Sequence, residues 1–289
     1  MRKLDLETPV LLVDHERLDQ NIRRMQRLAS DAGVALRPHT KAHKCPDLAK
    51  IQLAEGASGI CAQKLGEAEV MVKAGIKDIF ITNHIVEATK IQRLVKLEEK
   101  ATVKIAVDSM GNAETISKVA SHERPVPVLV EMESGMRRCG LPFSSAAKLA
   151  KRISNLNGVI LDGIMTYEGQ VYRITNSRQR SRVAKRAAER LVELAKRIRK
   201  EGIDVPTVSC GSTPSAATVT HVPGITEIQP GNYVFYDLNQ VELGVAKLDN
   251  CALRVMASVI STPGSNRVVV DAGTKAFSHD KGRFPKPCT

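Results

Sequence analysis

The 289-residue sequence has no tryptophan, only four tyrosines and five phenylalanines, and no apolar run near the roughly 18 residues that a membrane-spanning helix needs. A nucleic-acid partner needs rings to stack bases on, and this chain has few to offer. The start, MRKLDLETPVLLVDHERL, interrupts its apolar stretch with Asp14 and has no small-residue cleavage site, which predicts a cytoplasmic protein. The six cysteines (Cys45, Cys61, Cys139, Cys210, Cys251, Cys288) show no CxxC spacing in a chain too long to need a disulfide framework, and most are expected to be reduced, buried small residues. There is no HExxH and no low-complexity tract.

What the chain has in excess is positive charge, +12 at neutral pH, which raises an anionic substrate or nucleic acid as partners. Much of it lies between Arg173 and Lys200, where eleven Lys/Arg face only Glu189 and Glu193. Val183, Ala187, Leu191, Leu194 and Ile198 recur there at helical spacing, so the basic residues form the solvated face of an amphipathic helix. That reading removes nucleic acid as a partner.

From about residue 35 to 231, short β-branched runs alternate with helical patterns, the sign of parallel strands joined by helices. The predicted strands are Val34–Arg37, Gly59–Ala62, Asp78–Thr82, Val103–Val107, Val126–Glu131, Leu161–Thr166, Thr207–Cys210 and Glu227–Gln229. Eight such units in this length fit a closed (β/α)8 barrel better than an open sheet. Before them TPVLLVD reads as a strand, followed by a helix with Leu18, Ile22, Met25 and Leu28 on one face. After Tyr236 the stretches ALRVMASVIST and NRVVVDAGTKAF read as two strands joined by Pro263–Gly264–Ser265–Asn266. The predicted class is α/β: a barrel over residues 14–238, and a β-rich domain from 1–13 plus 239–289.

Residues at the C-terminal ends of barrel strands line the catalytic mouth. RPHTKAHKCP follows the first strand. Lys41 there, crowded by Arg37, His39, His43 and Lys44, would have its ammonium form disfavoured, freeing an amine to attack a carbonyl. SCGSTPSA ends strand seven and IQPGNYVFYD strand eight. Turn N–H groups, the hydroxyls of Ser212 and Thr213, and a close backbone approach at Gly231 beside Asn232 suit a phosphate. MESGMRRCGL sets Arg137 and Arg138 after strand five, where an arginine can bond a ligand oxygen. MTYEGQVY sets Tyr167, Glu168 and Gln170 after strand six, where a tyrosine ring can pack on a planar heterocycle.

With these motifs in hand, the chain resembles the fold-type III pyridoxal-phosphate enzymes, and within them the D-threonine aldolases, D-serine dehydratases and D-3-hydroxyaspartate dehydratases. The likeness runs from LETPVLLVD through RPHTKAHKCP, KLGEAEVMVKAG, MESGMRRCGL, MTYEGQVY, GSTPS and EIQPGNYVFYD to VVVDAGTKAFSHDKG. It implies pyridoxal 5'-phosphate held by Lys41, with Arg138 on the cofactor hydroxyl and Tyr167 beside the pyridine ring. It also implies phosphate contacts from Ser212, Thr213, Gly231 and Asn232, with Tyr236 nearby. His39 and Gln170 are the substrate-side candidates, though close relatives often carry histidine where Gln170 stands.

The implied function is a lyase acting on a D-3-hydroxy amino acid, as a cytoplasmic homodimer with no nucleic-acid or membrane partner. The alternatives are a non-catalytic cofactor-binding homeostasis protein, disfavoured by the strands after residue 240, and an amino-acid racemase. Relatives continue with a His and a Cys or Asp that bind a divalent metal, manganese or zinc. No matching HxC or HxD pair is present after Tyr236, so the β domain is expected to be incomplete and its metal ligands absent, unless His279, Asp280 or Cys288 serve.

Overall fold

The computed structural model describes residues 5–277. A strand β1 (Val10–Val13) and helix α1 (His15–Asp31) precede eight parallel strands: β2 (Ala35–Leu36), β3 (Ile60–Ala62), β4 (Asp78–Ile81), β5 (Thr102–Val107), β6 (Val126–Met132), β7 (Val159–Thr166), β8 (Thr207–Cys210) and β9 (Glu227–Ile228). Each corresponds to an expected strand, with ends moved by at most two residues. Between them run α2 (Pro46–Ala54), α3 (Leu65–Lys73), α4 (Ala88–Glu98), α5 (Met110–Val119), α6 (Phe143–Ile153), α7 (Ser177–Lys200) and the single turn α8 (Ala216–Val219). Then come α9 (Leu238–Glu242), β10 (Leu253–Met256), β11 (Val259–Gly264) and β12 (Arg267–Val270).

The parallel order is β2-β9-β8-β7-β6-β5-β4-β3, and the ring closes between β2 and β3. Pro38 has no N–H to give a ladder, so this seam is irregular: Ser58 N–H donates to Leu36 O, Cys61 N–H donates to Pro38 O (2.8 Å), and His39 bridges Cys61. The result is a (β/α)8 barrel of the α/β class.

Period-two alternation sorts the interior into layers. At the start of the strands Arg37 meets Glu227 and Asp78, while Lys104 meets Asp162 (2.8 Å), which also accepts from Thr207 Oγ1 (3.0 Å). One residue pair further along, Cys61, Phe80, Ala106, Leu129 and Met165 form a buried apolar cluster. Two more residues bring Thr82, Asp108 and Glu131 to the C-terminal mouth.

Helix α7 is amphipathic as expected. Asn176 Oδ1 caps it by accepting Gln179 N–H (2.9 Å), and Ala187, Leu191, Leu194 and Ile198 are buried. Val183 is only half-buried, and its neighbour Ala184 packs in its place. Arg180 departs from the solvated face: it is buried and donates to Ile174 O (3.0 Å).

Contacts divide the chain into Ile22–Tyr233 and a second unit made of residues up to Asn21 with those from Val234 on. In that second unit β1 pairs antiparallel with β10, Val10 opposite Met256 and Val13 opposite Leu253. ALRVMASVIST, expected as one strand, is two. Its first half pairs with β1, and its second half, β11, pairs with β12. The break falls at Ala257–Ser258, where the Ser258 N–H turns to Asp271 Oδ1 (2.9 Å).

Candidate active site

Lys41 sits on a 3-10 turn, Thr40–Ala42, directly beyond β2. The backbone on either side is pinned by imidazoles. His39 Nδ1 accepts the Lys41 N–H (3.3 Å), so the ring proton is on Nε2 and is donated to Thr82 Oγ1 (3.0 Å). His43 Nδ1 accepts the Cys45 N–H (3.0 Å), its Nε2 donates to Gln52 Oε1 (3.2 Å), and Gln52 in turn donates to the Tyr233 hydroxyl (2.9 Å). Burial, then the charge of Lys41, holds the His39 pKa well below the ordinary imidazole value, which favours its neutral form.

The side chain of Lys41 stays open at the mouth, yet the protein packed around its amine, followed by the charge of Arg138, lowers its pKa. The crowding expected from Arg37 and Lys44 is not the cause. Arg37 leaves the chain toward the opposite end of the barrel, with Nε 2.6 Å from Glu227 Oε2 and Nη1 2.6 Å from Asp78 Oδ1. Lys44 is drawn to Glu67 (3.4 Å). The like charge comes instead from the loop after β6.

Both cations lie over the Tyr167 ring: Lys41 Nζ is 5.2 Å and Arg138 Cζ 5.1 Å from its centroid. Gly169 is required beside it, because a Cβ there would collide with the Tyr167 ring and Met136 Sδ. Gln170 is half-buried and its amide donates to Ser134 O (2.8 Å), bracing the loop that carries Arg138. Glu168, expected to face the mouth, is fully buried and turns to the loop after β8.

Behind Arg138 stands Glu131, with Oε1 3.9 Å from the guanidinium and Oε2 3.3 Å from His84 Nε2, not aligned for a hydrogen bond. Asp108 lies 3.8 Å from the other His84 nitrogen and accepts the Gly140 N–H (3.0 Å). Burial pushes the Glu131 carboxyl up to about 7 against the pull of Arg138, with Asp108 adding to the rise. Its ionised form is therefore disfavoured in the folded state, and stability is lost as pH rises from 4.5 through 7. Glu131→Gln does not titrate. It is expected to be more stable than the parent by up to about 3 kcal/mol at pH 8.5, with the gap closing toward pH 5. Denaturant melts at the two pH values check this; a gap independent of pH would show that Glu131 is not the titrating group.

The loops after β8 and β9 hold the remaining candidates. Thr213 Oγ1 accepts the Tyr233 N–H (3.1 Å), and Ser212 and Thr213 are both buried. A Cβ on Gly231 would lie 2.7 Å from His39 O, so glycine is needed there by the chain's own backbone, whatever else approaches. With α8 only one turn long, an anion here depends on the turn's own donors and not on a helix dipole. Tyr236 belongs to the unit that begins at Val234, where it is buried with a left-handed φ of 50°.

Residues 13–239 match the alanine racemase N-terminal domain family. The chain belongs to that family. Within the fold-type III, pyridoxal-phosphate-dependent alanine racemase N-terminal domain proteins, it is 37% identical to a D-threonine aldolase of Arthrobacter sp over 283 residues, 96% of this chain and 74% of that one. It is 33% identical, over the same shares, to a D-threo-3-hydroxyaspartate dehydratase of Delftia sp. (strain HT23). The solved structure of D-threonine aldolase from Filomicrobium marinum superposes with a TM-score of 0.91 at 33% identity, covering 97% of this chain and 77% of that one. A second match, to a putative serine dehydratase domain, covers residues 252–288.

Sequence reasoning missed the supports of this alanine racemase N-terminal domain site. Thr82 and Glu131 were within reach, because each lies two residues beyond a cluster residue, Phe80 and Leu129, on the same face of its strand. His84, Gln52 and Tyr233 carry no local signal. Among the described residues no three His, Cys, Asp or Glu side chains group as metal ligands. His279, Asp280 and Cys288 lie outside the described residues.

Proposed function

We propose that the chain binds pyridoxal 5'-phosphate covalently through Lys41 and is a lyase that cleaves or dehydrates D-3-hydroxy amino acids. The observation that carries this is one lysine amine of lowered pKa beside a tyrosine ring whose other neighbour is an arginine. The donor set fits the cofactor. Lys41 would take its carbonyl, Tyr167 would flank its ring, and Arg138 would bond its hydroxyl. The turn of Ser212 and Thr213, with Gly231 and Asn232, would hold its phosphate. When bound, the cofactor supplies a conjugated ring that takes up the electrons of the breaking bond.

The Lys41 amine, its proton affinity reduced by burial and Arg138, would also serve as a base or acid beside the bound group. Arg138 and the anion turns fix the plane against which the scissile bond is oriented. The reading includes a cytoplasmic homodimer and a divalent manganese or zinc ion, as in the resembling enzymes. No group among the described residues fits such an ion, so no step is assigned to it. Its support is the relatives' names and the site geometry together.

The test is incubation of the cofactor-loaded protein with D-threonine, followed for glycine and acetaldehyde, and with D-serine, followed for pyruvate. L-enantiomers, and added manganese or zinc, serve as arms. Turnover of a D- but not an L-substrate is expected. Cofactor uptake with no turnover of either D-substrate in any arm would leave a binding protein.

A further inference from the structure

Glu168, the residue after Tyr167, has no exposed surface, and among the described residues no cation pairs with it in a salt bridge. A buried carboxylate is costly unless strong donors meet it. Two do: the Ser215 hydroxyl donates to Oε1, and the Gly211 N–H donates to Oε2 (3.2 Å). Both donors belong to SCGSTPSA, so the loop after β7 grips the anion turn after β8.

Proton accounting then separates the two hydroxyls of that turn. Ser215 has one O–H proton, and the carboxylate outcompetes the neutral Ser212 carbonyl (3.1 Å) for it. Ser215 Oγ is left as an acceptor. It receives the Ser212 N–H (2.8 Å), and the Ser212 hydroxyl, 2.9 Å away, has to be the donor in that pair. Both donors of Ser212 are thus turned inward. Thr213 is the reverse case: its oxygen accepts the Tyr233 N–H, so its own proton is left to give.

We infer that Glu168 is a positioning residue for the anion turn, and that Thr213, not Ser212, gives that turn's side-chain hydroxyl to the cofactor phosphate. The inference rests on the cofactor reading above. Neutralising Glu168 releases the Ser215 proton, and the Ser212 N–H and hydroxyl lose their fixed acceptor.

The experiment compares uptake of pyridoxal 5'-phosphate with that of pyridoxal, which lacks the phosphate, by titrating the visible band each gains on joining Lys41. Thr213→Val and Glu168→Gln are each expected to weaken pyridoxal 5'-phosphate by about tenfold or more while leaving pyridoxal within about threefold. Ser212→Ala should leave both within about threefold. A general loss of structure would weaken both compounds alike, so the ratio of affinities isolates the positioning role. If Glu168→Gln does not fold, the Thr213→Val and Ser212→Ala pair still decides the donor assignment. Equal phosphate-selective losses in Ser212→Ala and Thr213→Val would overturn that assignment, and equal losses of both compounds in folded Glu168→Gln would overturn the positioning role. Wild-type protein that takes up neither compound would overturn the cofactor reading itself, and this inference with it.

Discussion

Lys41→Ala is expected to lose the visible absorption band that the wild-type protein gains with pyridoxal 5'-phosphate, while Lys44→Ala keeps it. The two lysines are three residues apart and differ in what holds them. Lys44 is drawn to Glu67, whereas Lys41 has its Nζ 5.2 Å from the Tyr167 ring centroid, with Arg138 over the same ring. An amine attacks a carbonyl only when neutral, and burial together with Arg138 lowers the Lys41 pKa from 10.5. Uptake should therefore begin at lower pH than for an ordinary lysine. Arg138→Ala, which removes the second cause, should move that onset upward. Spectra of the four proteins across a pH series check both parts. A band that survives in Lys41→Ala and vanishes in Lys44→Ala would place the cofactor on the wrong lysine.

Arg37→Met is expected to destabilise the fold by about 3–5 kcal/mol, the range for removing one partner of a buried pair. Arg37 and Glu227 are nearly inaccessible, with side chains 4% and 7% exposed, and Asp78 holds the other end of the guanidinium. Burial alone would lower the Arg37 pKa, and the two carboxylates more than reverse it. Without Arg37 the Glu227 carboxylate keeps, among the described residues, the Ser209 hydroxyl (2.8 Å). Arg37→Met/Glu227→Gln should recover part of the loss, since no charge is then stranded. Because Arg37 points away from the mouth, folded variant should still form the Lys41 band. Denaturant unfolding checks this; a loss under about 1 kcal/mol would mean that the pair contributes little beyond its own desolvation.

The barrel was legible because most strands lie in runs rich in β-branched residues closed by turn residues, and those signals are local. RPHTKAHKCP likewise announced a reactive lysine at a strand end. What the residues of that motif do was not legible. Arg37 and Lys41 are four apart, yet one faces the strand starts and the other the mouth, because strand alternation governs the first and the 3-10 turn the second. Glu168 looked like a mouth residue for the same reason Tyr167 did, and only the Gly211 and Ser215 partners, more than 40 residues on, explain its direction. The division of ALRVMASVIST depends on which strand each half pairs with, β1 or β12, and apolar content does not reveal that.

Tyr233 joins parts of the site that the sequence keeps far apart. Its hydroxyl receives Gln52, which is bonded to the lysine loop through His43, and its N–H is given to Thr213 on the anion turn. Being wholly buried, it cannot swing to let one loop move without the other. The lysine loop and the anion turn are thus tied to one side chain, and on the cofactor reading an aldehyde whose phosphate stands one bond farther from its carbonyl is expected to bind less tightly than pyridoxal 5'-phosphate.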